Sequence, residues 1–210
     1  MQTESLFHHR RLNGWVLLAW TAAALFLQIG LGLGIYGTGE EGLRVCARGT
    51  LRIGLVLFIG TLVASSVLHF SRGEFAKWLM RNRRQLGFSF GCAHFFHIGF
   101  IVLLDRAGFI PAERDIFREG GVVIYAFIGL MMLTSFDATT RPLPRWLWVG
   151  LHKWGLYSIW VAFAVAYLGR VAQGTLFYVP FAATLLLGMA GRWWVGIARF
   201  RTKRAAALGV

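Results

Sequence analysis

Acidic residues are scarce in this chain: nine Asp and Glu stand against 22 Lys and Arg, a formal net charge of +13 over 210 residues. Cysteine is scarcer still, with Cys46 between two apolar runs and Cys92 inside another. Two cysteines so placed are poor partners for a disulfide and form no zinc-binding pattern, so Cys92 reads as a small packed residue. No glycine-rich phosphate fingerprint stands between a strand and a helix. Low-complexity segments and fixed-period repeats are missing too. The missing fingerprint, in a chain whose length leaves little room beyond its apolar runs, speaks against a resident flavin or nicotinamide domain.

What the chain has is apolar surface. Hydrophobic residues make up 57% of it and the mean hydropathy is +0.59. A soluble domain carries about half or less. The length accommodates several spans of roughly 20 residues and little else. The basic excess would suggest nucleic acid on a soluble protein. Here the cations gather at the ends of apolar runs, which points to membrane orientation and anionic headgroups and away from nucleic acid.

Six apolar runs predict an all-α integral membrane protein, one transmembrane domain over residues 1–210 built as a six-helix bundle. The spans are expected at about 15–36, 51–70, 86–104, 121–136, 146–168 and 175–197. The first run lacks a small-residue cleavage site and is longer than a signal peptide's apolar core, so it should remain as a span. The fourth is short. Between spans two and three, Phe75 to Met80 reads as an interfacial helix with Trp78 at headgroup level. Residues 37–50 and 105–120 read as loops, while Pro142 and Pro144 punctuate the link to span five. Six spans put both termini on one side. That side holds 13 Lys and Arg against 7 on the other, with Lys153 and Arg192 just inside helices. The positive-inside rule then makes both termini cytoplasmic.

The candidate site is histidine inside these spans. His94 and His97 lie three residues apart in span three and share a helix face. Gly87 and Gly91 lie on roughly the same face, and span five carries His152 with Gly155 three residues on. Ionisable groups within spans are costly and mark function by default. Imidazoles beside bare backbone suit a flat, bulky ligand, so the expectation is one haem b held by histidines of two helices. The bland alternative is imidazole as hydrogen-bonding glue between packed helices. At about 1.5 Å per residue, His94 lies roughly 12 Å beyond Leu86, His97 roughly 16 Å, and His152 roughly 9 Å beyond Trp146. One site shifted toward the cytoplasm is expected, and no two-haem wire. Arg84, Lys153 and Arg192 sit at the same rim, where they either orient the protein and snorkel or pair with haem propionates. His69 reads as interfacial, and His8 and His9 as solvated tail.

Three motifs carry a resemblance: Arg83-Arg84-x-Leu86-Gly87 followed by His97, then Leu133-Thr134-Ser135-Phe136-Asp137, then Trp148-x-x-Leu151-His152-x-x-Gly155-x-Tyr157. In order and spacing they resemble the ferric-reductase-like transmembrane domain family, which includes NADPH oxidase membrane cores and MsrQ-type haem subunits. The likeness covers roughly residues 48–170. It implies a ferric-reductase-like fold in a bacterial inner (cytoplasmic) membrane. It also implies a b-type cytochrome that passes single electrons as the membrane subunit of an oxidoreductase. His97 and His152 would be the axial ligands of the haem iron, with His94 as substitute ligand. Donor and acceptor would be separate, the donor a quinol or a flavoprotein, and a quinone is a possible second cofactor. The chain departs from the MsrQ-like pattern at Val165, where those sequences carry a further histidine, and His94 is an addition to it. The rival expectation, from another class, is a haem-free structural or assembly subunit of a larger membrane complex.

Overall fold

The computed structural model describes residues 7, 12–110, 121–136 and 142–208. His8, His9, Asp137 and most of the loop expected at 105–120 lie outside them. Among the described residues seven α-helices follow one another: α1 (Trp15–Tyr36), α2 (Glu40–Phe70), α3 (Glu74–Arg81), α4 (Arg83–Arg106), α5 (Val122–Leu133), α6 (Arg145–Ala172) and α7 (Val179–Leu208), with a 3-10 turn at Leu176–Tyr178 before the last. Among the described residues there is no strand.

Among the described residues, five segments are long and apolar enough to cross a membrane: α1, α2, α4, α6 and Leu176–Thr202. The fourth expected span falls on α5, an apolar helix described over 12 residues that begins close to residues outside the described set. The protein is an all-helical membrane protein, with five candidate spans and one shorter apolar helix among its described residues. Large side chains such as Leu27, Ile35, Leu187 and Trp194 stand exposed on its outside, as lipid contact requires.

One expected loop is helix. Residues 37–50 were read as a connection, yet α2 begins at Glu40 and runs 31 residues. Glu40 and Glu41 occupy its first turn, where negative charge suits the helix dipole. Leu43, Cys46, Ala47 and Thr50 then repeat at helical spacing, and the last three are buried. Cys46 is thus a packed helix residue, with its thiol pointing at the Ile29 carbonyl, 3.7 Å away. Gly37, with φ at +73°, makes the reversal from α1.

α2 is the central helix, packed on α1, α3, α4 and α7. Small residues permit this: a methyl group at Gly188 of α7 would sit 2.9 Å from Val63 of α2. The main core joins Leu55, Phe58 and Leu62 of α2 to Phe90 of α4, Ile128 of α5, Ile159 and Phe163 of α6, and Leu185 and Met189 of α7. The expected interfacial helix is α3. Trp78 donates its indole N–H to the Leu12 carbonyl at 2.7 Å, and Asn82 bonds Asn13 at 2.9 Å, tying the N-terminal segment to the end of the bundle where α4 begins.

Candidate functional site

At that end a cavity of about 650 Å³ opens between α2, α4, α5 and α6. Its floor is apolar, from Phe58, Phe88, Phe90, Ile128, Leu156 and Ile159. Arg81, Arg83, Arg84, Lys153 and Arg192 line the same cavity, and among the described residues no Asp or Glu does. Among the described residues His152 is the one imidazole on its wall. An apolar chamber with a few convergent polar groups is the usual form of a small-molecule site.

His152 is held from two sides. The Trp148 ring, one helical turn earlier, stacks on it with centroids 4.3 Å apart. Its Nε2 meets the Thr134 hydroxyl at 3.2 Å, and that hydroxyl donates to the Leu130 carbonyl at 2.7 Å. A hydroxyl has one proton to give, so His152 donates through Nε2–H. Trp148 adds a bond from its indole N–H to the Thr134 carbonyl at 2.9 Å. The result clamps the first turns of α6 to the end of α5.

His94 and His97 do not reach this cavity. His94 is 6% exposed and enclosed by aromatic rings, with Phe90 at 4.3 Å, Phe163 at 5.5 Å and Tyr125 at 6.3 Å between centroids. Its Nδ1 has no hydrogen-bond partner of good geometry among the described residues. A methyl group at Gly54 of α2 would stand 2.8 Å from that nitrogen, so the ring lies flat against bare backbone. His97 turns to α2 and donates Nδ1–H to the Ala47 carbonyl at 2.9 Å.

The offset between the two layers follows from Phe163. This residue lies eleven positions beyond His152 on α6, roughly 16 Å along the helix, and it is Phe163 that packs on His94. The depths read from sequence put His94 and His152 nearly level, because each was counted from the start of its own span. The structure staggers α4 and α6 and separates them. Both glycines expected to border the porphyrin are also covered: a methyl at Gly91 would collide with the Met132 thioether, and one at Gly155 with that of Met131. A haem clamped between His97 (or His94) and His152 does not fit this arrangement. The lining of the cavity, one imidazole and five cations over an apolar floor, suits an acid-bearing amphipathic ligand.

Of the eight residues singled out from the sequence, the structure brings His152, Arg84, Lys153 and Arg192 to one cavity and leaves His94, His97, Gly91 and Gly155 off its surface. Val165, where MsrQ-like sequences carry their further histidine, is 68% exposed on the outside of α6. Sequence reasoning missed Met131 and Met132 as cavity residues, since adjacent methionines in a uniformly apolar helix carry no periodic signal. Thr134, the C-cap residue of α5, is also the partner of His152.

The class these features define is an all-helical membrane protein with a cationic cavity at one end of its bundle. Comparison with known proteins takes the assignment no further: no family model, curated protein or solved structure matches the chain.

Proposed function

We propose that this chain is a membrane subunit that holds an acid-bearing amphipathic cofactor in its basic cavity, that the cofactor is one haem b, and that one imidazole ligates it. The observation that carries the proposal is the cavity itself, an apolar chamber of about 650 Å³ with His152 on its wall, five cations and no carboxylate among its described lining residues. His152 would bind the iron through Nε2 after releasing Thr134, its ring proton moving to Nδ1, while Arg81 and Arg84 would hold the propionates. Haem, when bound, supplies a one-electron couple. The chain's own part is to exclude water with Phe58, Phe88 and Leu156 and to neutralise acid groups with its basic residues.

By the positive-inside rule this end and both termini face the cytoplasm of a bacterial inner membrane. The donor, a quinol or a flavoprotein, would reach the haem from there. The ferric-reductase-like resemblance supports this reading through the Arg83-Arg84 and His152 motifs. The Val165 departure argues against a second haem.

A reduced-minus-oxidised spectrum and a pyridine haemochrome on detergent-purified protein test it. A b-type signal at one haem per chain, lost in His152→Ala and kept in His94→Leu and His97→Phe, is expected. No signal in wild type, after supplying haem, would sink the cytochrome reading. The haem-free assembly subunit then stands, and it has observations of its own. His97 and His152 each bond a neighbouring helix, and methionines cover both glycines.

A further inference from the structure

A second groove of about 650 Å³ lies on the other side of the basic cluster, among the ends of α2, α6 and α7. Arg83, Lys153 and Arg192 line both the groove and the cavity, so three cations from three helices form the partition between them. Arg199 adds a fourth on the groove side, and among the described residues no Asp or Glu lines it. The Arg83 and Arg192 guanidinium groups are close enough to act on each other electrostatically. Like charges held together at the edge of a low-dielectric bundle repel. The ion pairs Arg44–Glu40 and Lys77–Glu74 include none of the three cations of the partition. Arg83 spends one donor, its Nε, on the Thr61 carbonyl at 3.2 Å. A guanidinium has five. Beside the cations the groove wall carries Leu68, Met80 and Val195, with Ser65 and Tyr157 among them. Trp193 and Ile197, also on that wall, are 53% and 54% exposed where lipid would lie.

We propose that this groove holds one acidic glycerophospholipid, its phosphate seated on Arg83, Lys153 and Arg192 and an acyl chain lying along Leu68, Trp193 and Ile197. Snorkelling accounts for one cation at a time reaching bulk headgroups. It does not account for three helices bringing their cations to one partition beside an apolar groove. A net negative headgroup relieves the repulsion in the cluster, whereas a zwitterionic one brings an ammonium of its own. The site goes beyond the haem reading and does not need it, because lipid is read by mass and haem by absorbance.

The test is native mass spectrometry on full-length protein, delipidated in detergent and titrated with phosphatidylglycerol, with phosphatidylcholine of the same chains, and with inorganic phosphate. One phosphatidylglycerol per chain is expected, bound at least about tenfold tighter than phosphatidylcholine. Removing one charged donor to a phosphate costs about tenfold or more. Lys153→Gln and Arg192→Gln should each weaken phosphatidylglycerol by that factor, while Arg106→Gln at the other end of α4 leaves it unchanged. Inorganic phosphate should displace the lipid only at large excess, because it lacks the chain. Equal affinity for the two lipids, unchanged binding in both variants, or displacement by equimolar phosphate would each overturn the proposal. The wild-type comparison of the two lipids decides even if a variant fails to fold.

Discussion

His152 and His94 occupy neighbouring helices of one bundle and have opposite surroundings. His152 stands on a cavity wall, partly exposed, with its Nε2 bonded to a hydroxyl and Trp148 stacked on it. His94 is sealed among Phe90, Phe163 and Tyr125, against the backbone of Gly54, with Nδ1 unbonded. Both look alike in sequence: an intramembrane histidine with a glycine three residues away. The difference shows that cost alone does not identify a site. A buried imidazole without a cavity can bind nothing larger than what already surrounds it, whereas a less buried one beside open space can exchange its partner.

The comparison can be broken most forcefully at Phe163, which contacts His94 as well as Phe58 and Phe90. Phe163→Ala should cost about 3 kcal/mol or more through the cavity it leaves, read as a fall in the thermal midpoint in detergent. If stability is unchanged, the stagger of α4 and α6 is wrong, and with it the separation of the two histidine layers. Next in size is the glycine beneath His94. Gly54→Ala places a methyl 2.8 Å from a ring with no room to retreat, and overpacking of that kind costs about 1–3 kcal/mol. A neutral outcome would show that the His94 layer is loosely packed after all.

Smaller in stability but sharper in meaning is His152→Ala. It removes the Thr134 bond and the Trp148 stack at a cost of about 1 kcal/mol. It should also abolish any haem absorbance, measured by pyridine haemochrome. Retention of the full signal would move the ligand elsewhere. The smallest effect is expected for His94→Leu, within about 0.5 kcal/mol of wild type or slightly stabilising. It exchanges a buried imidazole with an unbonded nitrogen for an apolar side chain of similar volume, and thermal melts check it. A large loss there, accompanied by loss of haem, would restore the expectation that His94 is a ligand.

Much of the fold was legible without coordinates. The first span, Trp15 to Tyr36, matches α1 residue for residue, and spans three and five fall inside α4 and α6. Length of apolar run is a local property, so it survives translation into structure. The start of α2 was missed because Glu40, Glu41, Arg44 and Arg48 made the stretch look like a polar loop. Its buried face, Cys46, Ala47 and Thr50, reads only against a partner helix. The site was half legible. His152 was picked out as a histidine inside a span, and Arg84, Lys153 and Arg192 as cations at one rim. Their convergence on one cavity, and the exclusion of His94 and His97 from it, were not visible.

By itself the sequence determined an all-helical membrane protein, where its cations gather, and which few imidazoles lie inside apolar runs. These follow from composition along single helices, where a rise of about 1.5 Å per residue is a sufficient ruler. Only the tertiary structure decided how far α6 slides along α4, because that offset is set by side chains such as Phe163 fitting against His94. No count from the start of either helix contains it. The slide places one imidazole on an open chamber and shuts the other two away from it.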